Sequence, residues 1–154
     1  MEDKKILISD PTLRDGNHAV SHQLTAKQIS AYCEAAENAG VPIVEVGHGN
    51  GLGASSINVG ISATSDFDIL KIARKHLSNS KLGIHVIPGF ATINKDLSKA
   101  IEMGVDVIRV ASHCSEADVT ENHIKFCSKN GKTVFGVLMM SHMLDRDGLL
   151  EQGM

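Results

Sequence analysis

The segment Asp10-Pro-Thr-Leu-Arg-Asp-Gly-Asn-His18 brings together the side chains best suited to chemistry. Asp15 is a hard oxygen ligand of the kind that Mg²⁺ or Mn²⁺ binds. Arg14 can hold a carboxylate or the oxygen of a developing enolate, and His18 is a candidate for proton transfer because histidine is the residue type most often used for it near neutral pH. We expect Gly16 to let the backbone turn tightly enough to direct these side chains inward. The segment therefore predicts a metal or acid–base site, while Arg14 beside Asp15 also fits a purely structural ion pair.

A glycine-rich segment, Gly47-His-Gly-Asn-Gly-Leu-Gly-Ala-Ser-Ser56, follows the second predicted strand. Gly49, Gly51 and Ala54 satisfy a loose dinucleotide-binding pattern. No strong helix begins at its third position, and the segment follows the second strand rather than the first, so nicotinamide binding is the weaker interpretation. A P-loop is excluded because no Gly-Lys-Ser/Thr follows. We expect a flexible loop that borders a pocket.

An arginine, Arg109, interrupts the fourth predicted strand and must find a buried partner or a polar lumen. Glu45 on the second strand is the partner we predict. His113 at the end of the fourth strand is expected to lie at the rim of the sheet. Metal binding by His113 and Cys114 is the weaker interpretation because adjacent strand residues point to opposite faces; His142, after the fifth strand, is equally ambiguous.

Short β-branched runs alternate with segments of helical period, which predicts βα units feeding a parallel sheet. The predicted strands are 6–9, 43–46, 82–87, 107–110 and 133–138. The predicted helices are 25–39, 66–77, 94–103, 117–129 and a last one from 144 onward, the first with Thr25 as N-cap and Gln28 three residues later. Five such strands could form an open doubly wound sheet or the first five-eighths of a barrel.

The position of the polar loops favours the barrel. Charged and histidine-bearing segments follow strands one, two and four, at 10–18, 47–53 and 112–116, as expected when one barrel face assembles a site. The fold class we predict is α/β, of the parallel (β/α) TIM-barrel type, with the first five βα units of an incomplete barrel.

The composition favours a small-molecule partner. The 154 residues are 42% hydrophobic with a formal net charge of −3, and only 3% are aromatic, which fits one domain and predicts neither a nucleic-acid partner nor a membrane. The apolar stretch near the start is too short for a signal peptide or a membrane span, which predicts a cytoplasmic protein. Cys33, Cys114 and Cys127 are expected to be reduced packing residues.

Together these segments closely resemble the 4-hydroxy-2-oxovalerate aldolases, class II aldolases within a wider group of metal-dependent barrel lyases and carboligases. The group shares an Asp-x-Thr-Leu-Arg-Asp-Gly stretch, present here at 10–16, and narrower similarity comes from 8–18, 45–52 with Ser55-Ser56, 109–118 and 138–143. The resemblance covers essentially the whole chain. It implies that residues 1–154 are the N-terminal part of a pyruvate carboxyltransferase/HMGL-like barrel domain.

The resemblance implies a lyase that cleaves 4-hydroxy-2-oxovalerate to pyruvate and acetaldehyde by retro-aldol chemistry, in aromatic catabolism. The implied cofactor is a divalent metal that acts as a Lewis acid on the 2-keto acid, Mn²⁺ by preference and Mg²⁺ or Co²⁺ as alternatives. By the same resemblance, Asp15 is the metal ligand and contacts substrate. Arg14 is a catalytic residue that binds substrate and stabilises the enolate, and His18 is the catalytic base that takes the hydroxyl proton.

One departure from the family pattern concerns the metal site, which relatives complete with a His-x-His pair, alongside a tyrosine, beyond position 154. We therefore expect these 154 residues alone to be inactive or nearly so. Two alternatives are an acetyl-CoA-dependent carboligase of the same barrel group, which the 47–52 loop disfavours, and a non-catalytic remnant or interaction module. The resemblance further implies a small 2-keto acid substrate, an acylating aldehyde dehydrogenase as partner, and an oligomer.

Overall fold

The computed structural model describes residues 6–154, and five parallel strands form its central sheet. The strands follow each other across the sheet in chain order: β1 (Ser9–Leu13), β2 (Ile43–Val46), β3 (Lys81–Val86), β4 (Val107–His113) and β5 (Thr133–Met139). A doubly wound sheet reverses its order at a switch point, whereas a barrel keeps sequential strands adjacent. The prediction of the first five βα units of a parallel barrel is therefore confirmed.

A helix follows each strand: α1 (Ala26–Asn38), α2 (Asp66–His76), α3 (Ser98–Glu102), α4 (Glu121–Lys129) and α5 (Arg146–Gly153). The first helix begins where the sequence predicts, because Thr25 and Gln28 form a reciprocal capping box. Its buried stripe of Ile29, Cys33 and Ala36 packs in the main hydrophobic core. Gly40, at φ +70°, follows its end.

The first strand lies later in the chain than predicted. The sequence indicated 6–9, but residues 6–8 are exposed and β1 runs from Ser9 to Leu13. Polar Asp10 is tolerated there because its Oδ2 accepts a hydrogen bond from the Tyr32 hydroxyl at 2.6 Å, and its Oδ1 accepts from Thr12. Pro11 is tolerated because β1 pairs with β2 alone and lies at an edge of the five-stranded sheet. The prediction of the first strand from the apolar residues 6–8 was therefore wrong.

Three later helices begin differently from the prediction. The helix predicted at 94–103 is a π-helical turn, Ile93–Leu97, that continues into α3. The one predicted at 117–129 opens with a 3₁₀ turn, Ala117–Thr120, before α4. The last begins at Arg146 rather than 144, because Asp145 caps it by accepting the Gly148 N–H at 2.8 Å.

The core lies between the sheet and the helices and includes Cys33 and Cys127. Cys114 is buried as well, and none of the three cysteines forms a disulfide. Burial raises the pKa of Cys33 to about 11, as expected of an inert packing thiol. None of the helices in 6–154 has the length and apolar character needed to cross a lipid bilayer. The prediction that the start of the chain is not a signal peptide falls partly on residues 1–5, which lie outside the described residues.

Candidate active site at the carboxyl ends of the strands

Arg14 is buried at the end of β1, and three acceptors hold its guanidinium. Its Nε donates to Glu45 Oε1 at 2.6 Å, and its Nη1 donates to Asp15 Oδ1 at 2.8 Å and to the Gly49 carbonyl at 3.1 Å. Within residues 6–154 its Nη2 group makes no hydrogen bond. Arg14 therefore presents a fixed, charged donor with hydrogen-bonding capacity left for a ligand.

Glu45 is 1% exposed and lies between two guanidinium groups. Arg109 on β4 donates from Nη1 to Glu45 Oε2 at 3.1 Å, so the predicted pairing of these two residues is confirmed. The second partner of Glu45, Arg14, was not predicted from the sequence. The two guanidiniums therefore face two carboxylates, the buried Glu45 and the exposed Asp15, and Arg14 is held as a charged donor whose Nη2 group can meet an anionic ligand.

β3 contributes His85 to the same layer, beside Arg109 in the sheet register. Burial, and then the positive charges of Arg14 and Arg109, lower the pKa of His85 to about 4 despite the opposing charge of Glu45. Its Nδ1 is buried without a hydrogen-bond partner among the described residues. This residue was not predicted from the sequence, although a histidine inside an otherwise apolar strand is the same kind of signal that identified Arg109.

Asp15 extends into solvent, with a side chain 63% exposed. Its Oδ1 accepts the Arg14 bond, and the carboxylate fits one ligand position of a divalent ion. Within residues 6–154, neither Asp15 nor any other residue belongs to a group of three or more His, Cys, Asp and Glu side chains that could hold a metal ion. The described residues thus fit one ligand of such an ion and do not supply a complete site.

The remaining carboxylate of the segment, Asp10, is not part of the site, because it lies within β1 and binds Tyr32 of α1. Burial raises its pKa, but hydrogen bonds from Thr12 and Tyr32 outweigh this effect and hold the pKa below its ordinary value. The expected role of Gly16 is also wrong. It lies in a 3₁₀ turn, Asp15–Val20, without a positive φ, and a Cβ there would approach Thr12 Cγ2 only to 3.7 Å.

His18 is exposed and lies directly against Gly49, the residue whose carbonyl accepts the Arg14 bond. A Cβ on Gly49 would stand 2.4 Å from His18 Nε2, so only glycine leaves the ring this room. The ring also meets His22 edge to face, with centroids 5.0 Å apart. Arg14, Asp15 and His18 are therefore brought together around one loop.

Two buried histidines that the sequence analysis did not identify support this loop. His22 and His48 stack with ring centroids 3.7 Å apart and planes at 17°. Burial, His48 and His18 lower the pKa of His22, although its bond to the Val59 backbone opposes them. His48 occurs in the glycine-rich segment, but nothing in that pattern reveals that its ring turns inward.

The glycine-rich segment does not have the geometry of a dinucleotide cradle. Gly51 and Gly53 adopt φ values of +96° and +77°, and a Cβ on either would lie within 3 Å of a backbone carbonyl, that of His85 or Phe90. The next helix begins only at Asp66. These glycines allow the loop to pack closely against the end of β3, which explains their presence without a nucleotide.

The structure does not join His113, Cys114 and His142 to the Arg14 site. Cys114 is buried, and its thiol donates to the Met140 carbonyl at 3.3 Å. His113 Nδ1 lies 2.7 Å from the Ser115 hydroxyl, at the predicted rim, and His142 is exposed beyond β5.

Comparison with curated proteins finds close relatives that are about twice as long as this chain. The 4-hydroxy-2-oxovalerate aldolase of Spirochaeta aurantia is 65% identical over 147 residues, which are 96% of this chain and 43% of the relative. The 4-hydroxy-2-oxovalerate aldolase of Pectobacterium atrosepticum is 62% identical over 149 residues, 97% of this chain and 43% of that protein. The chain thus spans less than half the length of these relatives.

Solved structures with the same fold include the N-terminal domain of a candidate aldolase from Bacteroides vulgatus. That domain has a TM-score of 0.75 and 25% identity, over 94% of this chain and 48% of its own. The carboxyl transferase domain of Rhizobium etli pyruvate carboxylase has a TM-score of 0.68 at 14% identity, over 88% of this chain and 24% of that chain, and shows the fold alone. The sequence model of the HMGL-like family matches residues 5–153. The chain therefore belongs to the HMGL-like family.

Proposed function

We propose that the protein carrying these residues is a carbon–carbon lyase that cleaves 4-hydroxy-2-oxovalerate to pyruvate and acetaldehyde. The observation that carries the proposal is that Arg14 and His18 both contact Gly49, while Arg14 is also bound by Asp15 and is held in place by Glu45. Relatives 62–65% identical over this region are named for this activity. In this proposal residues 1–154 are the N-terminal part of one barrel domain.

Arg14 is the proposed anion-stabilising residue. Cleavage of the bond between carbons 3 and 4 of the substrate leaves negative charge on the oxygen of the pyruvate enolate. A guanidinium held in advance by a buried carboxylate costs no reorganisation when that charge appears, and the Nη2 group has hydrogen-bonding capacity for the oxygen. Arg14 therefore lowers the free energy of the transition state more than that of the bound substrate.

Asp15 is the proposed ligand of a divalent metal ion, with Mn²⁺ preferred and Mg²⁺ or Co²⁺ as alternatives. A bound divalent ion supplies Lewis-acid polarisation of the ketoacid carbonyl. The exposed carboxylate supports this role, because its contact with Arg14 involves one oxygen and leaves the other accessible. The remaining ligands are proposed to come from residues other than 6–154.

His18 is the proposed base that removes the proton from the 4-hydroxyl group. Its ring is exposed at the mouth of the site and is packed on the same glycine that Arg14 contacts. Because the ring is in contact with solvent on one side, the proton can leave to water after the bond breaks. A cytoplasmic location, an acylating aldehyde dehydrogenase partner, an oligomer and a role in aromatic catabolism stay predictions.

The experiment that tests this function is a steady-state cleavage assay of the full-length protein with 4-hydroxy-2-oxovalerate and Mn²⁺. We expect Arg14→Ala to lower kcat by about 10²- to 10³-fold, as removal of an oxyanion donor does. His18→Ala is expected to lower it by about 10²- to 10⁴-fold. Arg146→Ala is the matched control, because that arginine is exposed and its side chain pairs, within the described residues, with its neighbour Asp147. Retention of wild-type kcat by Arg14→Ala would exclude the proposed role.

A further inference from the structure

His48 is completely buried, yet both of its ring nitrogens make hydrogen bonds. Nδ1 lies 3.0 Å from the Asn50 N–H, and Nε2 lies 3.1 Å from the Gly60 carbonyl. A backbone N–H can only donate and a carbonyl can only accept, so Nδ1 is the acceptor and Nε2 carries the proton. The contacts therefore select a neutral ring in one tautomer.

The N–H group that donates to His48 belongs to the same peptide group whose carbonyl accepts a hydrogen bond from Arg14. One end of the Gly49–Asn50 peptide is the Asn50 N–H, and the other is the Gly49 carbonyl that accepts Arg14 Nη1 at 3.1 Å. Because a peptide group is planar, a bond that fixes its N–H also fixes the direction of its carbonyl. His48 is thus connected to Arg14 through a single rigid unit.

The His48 ring is itself held from two further directions. The His22 ring stacks on its face at 3.7 Å, and the Gly60 carbonyl holds the opposite nitrogen. Gly60 has no space for a side chain, since a Cβ there would lie 2.6 Å from His22 Cδ2. The loop carrying Gly60 therefore packs against both rings, and this packing holds the His48 ring in one orientation.

We propose that His48 is a positioning residue that sets the orientation of the Arg14 guanidinium through the Gly49–Asn50 peptide. Glu45 anchors Arg14 at Nε, and the only other side chain among the described residues that accepts a hydrogen bond from the guanidinium is Asp15, which is itself exposed. The Gly49 carbonyl is a third acceptor, at Nη1, and it is the one that belongs to the backbone. This inference rests on the proposed function, because the orientation matters through the charge that Arg14 stabilises.

Two substitutions separate the two nitrogens of His48. In His48→Asn the side-chain carbonyl reaches the position of Nδ1 and can still accept the Asn50 N–H, whereas the bond to Gly60 is lost. In His48→Gln the longer amide reaches the position of Nε2 and can still donate to Gly60, whereas the acceptor for Asn50 is lost. Both variants remove the ring from His22, so they differ only in which hydrogen bond they keep: His48→Asn keeps the one to Asn50, on the connection to Arg14, and His48→Gln keeps the one to Gly60.

The test combines crystal structures and kinetics of the full-length protein and both variants. We expect His48→Asn to retain the contact between Arg14 Nη1 and the Gly49 carbonyl, and His48→Gln to lose it. We also expect kcat of His48→Gln to be about 10- to 100-fold below that of His48→Asn, the range for one hydrogen bond to a charged group. Equal loss of kcat in both variants, or an unmoved Arg14 in His48→Gln, would overturn the proposal.

A measurement on the unsubstituted protein keeps the test decisive if either variant does not fold. ¹⁵N NMR of labelled histidine is expected to show His48 with a protonated Nε2 and an unprotonated Nδ1 at neutral pH. A proton on Nδ1 would refute the connection. If the wild-type protein fails to cleave 4-hydroxy-2-oxovalerate, the proposed function is wrong, while the crystal structures and the NMR tautomer still decide the role of His48.

Discussion

At the scale of single residues, the contact between His18 and Gly49 controls where the proposed base can lie. The ring of His18 occupies the space that a Cβ would need, with Nε2, Cδ2 and Cε1 all 2.4–2.5 Å from that position. The backbone of Gly49 has no positive φ, so alanine is conformationally acceptable there and acts only through its methyl group. Gly49 thus offers a steric test of the base.

We predict that Gly49→Ala displaces the His18 ring toward solvent and lowers kcat by about 10- to 100-fold, because small misplacement of a catalytic group is costly. The free energy of unfolding should change little, since the exposed ring can move away from the methyl group. The check is a cleavage assay together with a urea titration. Gly153→Ala, where a Cβ meets nothing within 4 Å, is the control. A Gly49→Ala enzyme with wild-type kcat would contradict the placement of His18.

At the scale of elements, Glu37 ties α1 to the turn between α2 and β3. Its Oε1 accepts the Asn79 N–H and side-chain amide at 2.8 Å, and its Oε2 accepts the Ser80 N–H at 2.9 Å. The backbone hydrogen bonds from Ser80 and Asn79 are the main reason that the pKa of Glu37 falls to about 2. Because the pKa of Glu37 in the folded protein lies below the ordinary 4.5, its ionised carboxylate stabilises the fold. This contribution is complete above pH 4.5 and is lost as the pH falls toward 2.

We therefore predict that Glu37→Gln lowers the urea midpoint of the full-length protein at pH 7, and that the difference from wild type narrows as the pH falls below 4.5. Urea titrations at pH 7, 5, 4 and 3 provide the measurement. Glu34→Gln, an exposed position on the same helix, should show no comparable difference at any pH. If the urea midpoint of Glu37→Gln stays below that of wild type by the same amount down to pH 3, the carboxylate charge is not the cause of the difference.

The elements that the sequence predicts well are those marked by local hydrogen bonds. The start of α1 was predictable because Thr25 and Gln28 form their capping box within one turn. The position of β1 was not, because its acceptability depends on Tyr32, which meets Asp10 only after α1 has packed on the sheet. The 3₁₀ turn at Asp15–Val20, which positions Asp15 and His18, likewise carries no periodic signal.

The site shows the same division. The pairing of Arg109 with Glu45 was predictable because an arginine in an apolar strand requires a partner. The contributions of His48 and His85 were not, because they depend on which way a ring turns inside the fold and on the charges that surround it there. Residue type therefore identified the charged groups, and only the three-dimensional arrangement identified the residues that hold them.

At the scale of the whole molecule, the five-stranded sheet has two edges. β1 and β5 each pair with one strand, and β5 is partly exposed along its length. Large apolar side chains lie exposed near both edges, among them Ile6, Leu7, Phe135 and Met140. A closed barrel covers such edges, so this arrangement matches a region that makes up less than half of its relatives.

We predict that the 154-residue chain, purified by itself, shows no aldol cleavage above that of its own Arg14→Ala variant. The physical reason is that Asp15 is one ligand, whereas within the described part of the chain no three-residue metal cluster exists. The measurement is an assay of released pyruvate with Mn²⁺ present and 4-hydroxy-2-oxovalerate as substrate. Cleavage that Arg14→Ala abolishes in this short chain would show that the described residues suffice for catalysis.

We propose that Asp15 binds the metal and Arg14 binds the ketoacid oxygen at one place, and every assigned role depends on this. The most direct measurement is a crystal structure of the full-length protein with Mn²⁺ and pyruvate, with the metal located by its anomalous scattering. We expect a manganese peak beside the Asp15 carboxylate. We also expect the carbonyl oxygen of pyruvate to lie within hydrogen-bond distance of Arg14. A manganese peak away from Asp15, or pyruvate bound out of reach of Arg14, would contradict this proposal.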